Sequence, residues 1–312
     1  MKRRDEGFVL LVVLWVLAVL TVVTVGFGKR TLLDQRAAAY MLDQSEAMMQ
    51  ARGAVYRGIL LLRNKAVTDM AEMDHPPVTH LGQQWAKPMD LFKEGVFELP
   101  EGVEGDTCTF HIEDEQSRMN LNTIPFEVLE KVDALDRSVL RRIRVRRTTG
   151  EHEGEGPAPF HAAEELRYIR GVDFEDWYGT RKKAGLYNLF TTAGDGRINI
   201  NTARREVLVC IPDLDGQAIN AILGYRAGSD GQIGTGDDIG FLDWNDLVER
   251  TGVSGESLTA LKRYGDLYST YYTVTGIATR RNGQVRASAT ATVIVMSGEA
   301  TILDWRERPL GA

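Results

Sequence analysis

The stretch "RRDEGFVLLVVLWVLAVLTVVTVGF", Arg3 to Phe27, decides how the rest of the chain is read, because no charge interrupts it from Phe8 through Phe27. An apolar run of about 20 residues rises roughly 30 Å as a helix and crosses a bilayer, whereas the core of a secretory signal is about 7 to 15 residues. The run is therefore too long for an ordinary signal. It is followed by Gly26-Phe27-Gly28-Lys29-Arg30, which offers no small-residue cleavage site. The anchor reading follows. Lys2, Arg3 and Arg4 favour a cytoplasmic N-terminus, although Lys29 and Arg30 beyond the span blunt the asymmetry. With no second run of comparable length, everything after residue 30 is expected on the far side of one membrane.

That exported part is long enough for more than one core, and 26% charged residues fit a folded, solvated exterior. A net charge of -7 argues against general nucleic-acid affinity, which rests on clustered Lys and Arg. The one basic run, Arg137 to Arg147 with Arg141, Arg142, Arg144 and Arg146, is flanked by Asp133, Asp136, Glu151, Glu153 and Glu155 and reads as a solvated helix face. Cys108 and Cys210 lie inside apolar patterns and read as core thiols, too few for a disulfide framework. His75, His80 and His111 lack a compact ligand spacing. No nucleophile elbow, phosphate-binding loop, zinc-helix motif or dinucleotide fingerprint occurs, so the sequence does not read as an enzyme.

Leu32 to Leu62 reads as helix, its apolar residues Ala37, Ala38, Ala39, Met41, Leu42, Ala47, Met48, Ala51, Val55, Ile59 and Leu62 recurring at helical spacing. Joined to the anchor it makes one rod of about 80 Å, which Gly53 and Gly58 weaken without breaking. Pro and Gly punctuate Met73 to Gly105 as loop, with short strands expected at Gly95 to Leu99 and Cys108 to Glu113. Near the other end, Tyr271 to Val295 reads as two or three strands turning at Asn282-Gly283.

Between these lies an internal repeat. "RMNLNTIPFEVL", Arg118 to Leu129, recurs as "RININTARREVL", Arg197 to Leu208, aligning Asn120 with Asn199, Asn122 with Asn201 and Thr123 with Thr202. An Asn-Thr pair ahead of a helix is expected to cap its free N-H groups. "CIPDLDGQAINAIL", Cys210 to Leu223, resembles the helix-hairpin-helix phrase, and "EELRYIRGV" at Glu164 and "DWNDLVERTGV" at Asp243 look like partial copies of the same unit. Asp213 and Asp215 stand where that phrase has glycines, and two carboxylates there would repel a phosphate. A packing or partner-binding domain is the expected use, not DNA binding. The Gly-rich loop "GSDGQIGTGDDIGF", Gly228 to Phe241, carries Asp230, Asp237 and Asp238, a composition that suits calcium, although it is not an EF-hand.

A polar leader, Gly7, Phe8 and an unbroken apolar helix together resemble the type III signal of type IV pilins and type II secretion pseudopilins. The resemblance implies that a prepilin peptidase cuts between Gly7 and Phe8 and methylates Phe8. Most such subunits carry Glu at the fifth mature position, which here is Val12. Its absence, with "IEDEQSRMNLNT", "GRININTA" and "YYTVTGIATRRNGQVRASATATVIV" in that order, resembles the K-type minor pseudopilin family of the general secretion pathway. The family's fold is α+β: a pilin-like N-terminal helix on an antiparallel sheet, with an inserted all-α sterile-alpha-motif-like, helix-hairpin-helix-like domain. On this chain it implies a leader at 1–7, a helix at 8–62 spanning the membrane at 8–27, the first part of the α/β domain at 63–120, the insert at 121–264 and completing strands at 265–312. It further implies a cap at the tip of a periplasmic pseudopilus that starts assembly and limits its length. The I-type and J-type minor pseudopilins, the prepilin peptidase and the inner-membrane platform are its implied partners. No cofactor is required, though calcium is a feature of the family. The alternatives are a membrane-anchored helix-hairpin-helix protein that handles DNA, and a minor subunit of a type IV pilus.

Overall fold

The structure is a computed structural model that describes residues 4–71, 76–97, 105–149 and 156–310, with side chains from Phe8 onward. His75, Glu151, Glu153 and Glu155 lie outside the described residues, as do residues 98–99 of the strand expected after Gly95.

One helix, α1, runs Arg4–Ala71 without a break. Nothing inside it is a proline, and Gly53 and Gly58 are carried in regular geometry. It outlasts the expected end at Leu62, because Leu62 and Ala66 still find a buried surface. After α1 come β1 (Met89–Asp90) and β2 (Thr107–Asp114). The expected strand at Gly95 is instead a turn over residues 95–97. There the chain folds back so that Val96 and Phe97 both donate to the Leu91 carbonyl.

From β2 the chain enters a body of short elements: β3 (Met119–Asn120), α2 (Phe126–Leu129), α3 (Arg137–Thr148), α4 (Phe174–Tyr178), α5 (Leu186–Leu189), β4 (Phe190–Thr191), β5 (Ile198–Asn199), α6 (Arg205–Leu208), α7 (Gly216–Arg226), α8 (Trp244–Thr251), α9 (Gly255–Tyr264) and β6 (Gly265–Asp266). It then returns as β7 (Tyr271–Arg280), β8 (Val285–Met296) and β9 (Glu299–Leu310). The main sheet is antiparallel in the order β1-β2-β7-β8-β9. The strands after Tyr271 thus return to the strand at Cys108, as the alternating pattern predicts. The β7–β8 turn is built on Arg281, Asn282 and Gly283, all at positive φ, which Asn and Gly tolerate best.

Two hydrophobic cores result. The first joins α1 to the sheet: Ala47, Ala51, Ala54 and Val55 pack against Val274, Ala278, Ala287, Ala289 and Ala291. Both faces are built from small side chains, so the helix approaches closely. At Gly276 an added Cβ would stand 2.3 Å from the Ala51 carbonyl oxygen, and at Gly58 2.5 Å from a Val274 methyl. The second core lies wholly within the helical body, where Met119, Leu129, Ile143, Leu166, Ile198, Leu208, Ile222 and Leu261 meet. Cys108 sits in the first core and Cys210 in the second, both as free buried thiols whose pKa burial raises to about 12.

Gly276→Ala should force α1 off β7 and cost about 1–3 kcal/mol in chemical denaturation, while Gly283→Ala, in open space but at positive φ, should cost about 1 kcal/mol. Equal small losses at both positions would disprove the close approach.

Candidate functional site: an exposed helix and a polar joint

The first half of α1 touches nothing. Every side chain from Phe8 to Ala38 is exposed, including Val12, and Ala39 is the first to be half-covered. Burial on the sheet begins at Asp43. Ala37, Met41 and Leu42, expected to continue the packed face, are therefore open, because the sheet does not reach that far along the helix. Phe8 to Phe27 lies in the one helix among the described residues that is long and apolar enough to cross a membrane. Gly7 falls in helical backbone directly before it. Asp43 and Glu46 then meet Arg280 and Arg281 of the β7–β8 turn, tying the sheet to the helix where the bare segment ends.

The helical body hangs on the sheet through a buried polar joint at the end of β2. Asp114, buried, accepts four hydrogen bonds: from the Gln116 amide at 2.9 Å, the Asn199 side chain at 2.9 Å, Ser269 Oγ at 2.7 Å and Thr202 Oγ1 at 2.5 Å. Asn199 also donates to the Thr79 carbonyl at 3.1 Å. Gln116 accepts from the Thr270 amide at 2.7 Å, so the outgoing and returning chains are pinned together. Burial raises the Asp114 pKa, and the four donors oppose that rise.

The sequence repeat is a structural repeat, but the asparagines do not cap helices. Asn122 closes on Phe160 in both directions, donating to its carbonyl at 2.9 Å and accepting its amide at 2.7 Å. Asn201 does the same to Phe241, at 3.0 and 2.8 Å. Each primary amide thus copies a strand's backbone pairing and holds a passing segment. Asn120 and Asn199 instead accept the amide two residues on, and the N-caps of α2 and α6, Pro125 and Arg204, make no side-chain cap. The true caps come later in each copy: Asp136 on α3, accepting from Val139, and Asp215 on α7, accepting from Ala218. Asp213 takes φ 63°, a glycine-like conformation that Asp tolerates. The α7 N-terminus is therefore filled by the chain's own carboxylate, an arrangement that opposes phosphate.

The basic run on α3 is not simply a solvated face. Arg146 pairs with Glu165 and stacks over Phe160, Arg147 donates to the Ile124 carbonyl at 2.9 Å, and Arg142 to that of Arg170 at 2.9 Å. Those partners come from distant sequence, not from the flanking acids, and Asp136 is spent as a cap.

In the loop after α7, Asp237 accepts from the Ser229 amide at 2.7 Å, Ser229 Oγ at 2.6 Å, the Asp230 amide at 3.0 Å and Thr235 Oγ1 at 2.7 Å. These bonds hold its carboxyl well below the usual carboxylate range. Asp230 accepts the Gln232 amide, and Asp238 the Gly234 amide. Among the described residues no three His, Cys, Asp or Glu side chains gather as a metal site. As placed, Asp230, Asp237 and Asp238 do not make the six-to-eight-oxygen cage that calcium takes, because the loop's own N-H and O-H groups occupy most of their oxygens.

An α+β protein of pilin-like build is what the long helix, the antiparallel sheet and the helical body between β2 and β7 define. The chain is 36% identical over 122 residues to type II secretion system protein K of Pseudomonas aeruginosa, a match that takes in 39% of this chain and 34% of that protein. It thus spans about a third of the length of the curated relative it matches. A chain of the crystal structure of the GspK-GspI-GspJ complex from the enterotoxigenic Escherichia coli type 2 secretion system aligns over 90% of this chain and 100% of that one, at 17% identity and a TM-score of 0.48. No family profile matches the chain.

Asp114→Ala would take away the acceptor that four buried donors share, and a loss of about 3–5 kcal/mol is expected in urea denaturation of the detergent-solubilised chain. A loss under about 1 kcal/mol would disprove the joint's role. At the half-buried Asp237 the sign is the depressed-carboxylate one. Its contribution is present above the unfolded carboxylate range of about pH 4 and is lost as pH falls below it. Protection of the Ser229 and Asp230 amides, corrected for intrinsic exchange, should fall between about pH 4 and 2 in the wild type and be absent at pH 6 in Asp237→Asn.

Proposed function

We propose that the chain is a minor pseudopilin of the K type, acting as a structural subunit of a type II secretion system and not as an enzyme. The observation that carries this reading is α1: its first half is bare, its second half is packed on a sheet, and its apolar run starts at a Gly-Phe junction behind charged residues. The similarity to protein K of P. aeruginosa supports the same reading. Insertion leaves the leader in the cytoplasm, Phe8 to Phe27 in the inner membrane and the two-core body in the periplasm. A prepilin peptidase removes residues 1–7 and methylates Phe8. The bare segment then packs in a bundle with the helices of the I-type and J-type minor pseudopilins, docked on the inner-membrane platform.

Val12 gives the subunit its place at the tip. A Glu at this position would neutralise the N-terminal amine of a neighbour inside the apolar bundle, where an unpaired charge is costly. Val12 offers no such partner, which fits a subunit with none above it. The helical body widens the subunit beyond a simple pilin, so it starts a filament and caps its growth. A DNA-handling role is disfavoured by Asp215 on the α7 N-terminus, where phosphate would have to sit.

Intact mass of the membrane-extracted protein, with and without co-expressed prepilin peptidase, tests the pathway. Loss of residues 1–7 with gain of one methyl group is expected, and Gly7→Ala should block both. An uncut wild-type chain beside a processed control pilin would overturn the proposal. Val12→Glu should let subunits add above this one and lengthen pseudopili seen by electron microscopy; unchanged length would sink the tip assignment.

A further inference from the structure

We propose that the seam between the sheet and the helical body is a docking groove for an extended acidic segment of a partner protein, and that Arg226 takes a carboxylate of that segment. The proposal does not depend on the pseudopilin reading. The seam encloses a cavity of about 1140 Å³, lined by Leu81, Trp85 and Ile112 from the sheet side and by Leu223 and Ile233 from the helical body. Concave, partly apolar clefts between two bodies are where binding sites form.

Arg226 lies in this lining, at the end of α7, and is only 2% exposed. Its Nη1 donates to the carbonyls of Ile200 at 3.0 Å and Ala203 at 2.6 Å. Nε and Nη2 are buried and find no acceptor, and no ion pair reaches the guanidinium among the described residues. Those two N-H groups form the edge of the guanidinium that accepts a carboxylate side-on, through two parallel bonds. Burial without a paired anion pulls the Arg226 pKa down to about 10, with Asp238 and Asp114 opposing the shift.

The remaining charges in the groove favour an acidic occupant. Arg204 makes no ion pair among the described residues, and Arg205 donates to the neutral Asn220 at 2.8 Å. Of the acids there, Glu113 is paired with Arg118 and Asp114 is covered by its four donors. Glu206 alone is unengaged, against Arg204, Arg205 and Arg226. An extended chain alternating apolar and acidic residues fits both features, the apolar side chains on Leu81 and Ile233 and the carboxylates on the arginines. The competing account is a buried water between Arg226 and the orphaned Oδ1 of Asp238, whose loop runs beside Arg226 through the bond from the Ile239 amide to its carbonyl.

The test uses the full chain in detergent micelles and two fluorescently labelled peptides, acetyl-(Leu-Glu)3-amide and acetyl-(Leu-Gln)3-amide, read by anisotropy. The Glu peptide should bind at least tenfold tighter than the Gln peptide. Arg226→Lys, which keeps the charge and loses the fork, should remove about tenfold of that preference while melting at the wild-type temperature. Should Arg226→Lys melt early, the exposed wall positions carry the test: Arg204→Ala should cost about threefold and Asn220→Glu about tenfold for the Glu peptide alone. Equal affinity for the two peptides, or a preference unmoved by Arg204→Ala and Asn220→Glu, would overturn the proposal and leave Arg226 as a buried water site.

Discussion

One buried carboxylate sets the relation between the sheet and the helical body. Asp114 ends the strand that leaves the sheet, and its donors come from the following turn, from the second copy of the repeat and from the segment that re-enters the sheet. A charge so placed is tolerable only if every lone pair is used, so the donors must all stand in register. The helical body is therefore held at one attitude to the sheet. A purely apolar contact of the same size would permit sliding, whereas a satisfied polar network does not.

The second constraint is that one helix serves two solvents. From Phe8 to Phe27 it is apolar and long enough to cross a membrane, and from Asp43 onward it packs on an alanine-lined sheet. The helix α1 is continuous across that change, so the apolar segment and the part packed on the sheet are one element. The arginines of the β7–β8 turn, set against Asp43 and Glu46, mark the boundary. Before it, from Phe8 to Ala38, no side chain among the described residues covers the helix.

The repeat shows how far a pattern in sequence can be trusted. Its copies share strand, asparagine clasp, one-turn helix and capped helix, and the recurrence of Asn and Thr was legible without coordinates. Its purpose was not. Asn ahead of a helix is a common cap, but here the primary amide reaches segments far along the chain, Phe160 and Phe241, which no local rule connects to it. On α3 the exposed Arg137, Arg141, Arg142 and Arg144 do form a solvated face, but the partners of Arg142, Arg146 and Arg147, at Arg170, Glu165 and Ile124, lie outside the window in which charges are compared.

By itself the sequence determined what depends on composition and short-range period: the membrane span, the continuous helix, the hairpin at Asn282-Gly283, the closing strands and the repeat. These follow from the length of an apolar run, the 3.6- and two-residue periods and the tolerance of Gly and Asn for positive φ. Only tertiary structure decided where α1 ceases to be bare, that Asp237 and its neighbours turn onto their own loop, that Asp114 is a joint and that Arg226 is buried with Nε and Nη2 free. Each of these turns on which distant groups share a low-dielectric space, and burial and pairing across the fold are not written in any local stretch of chain.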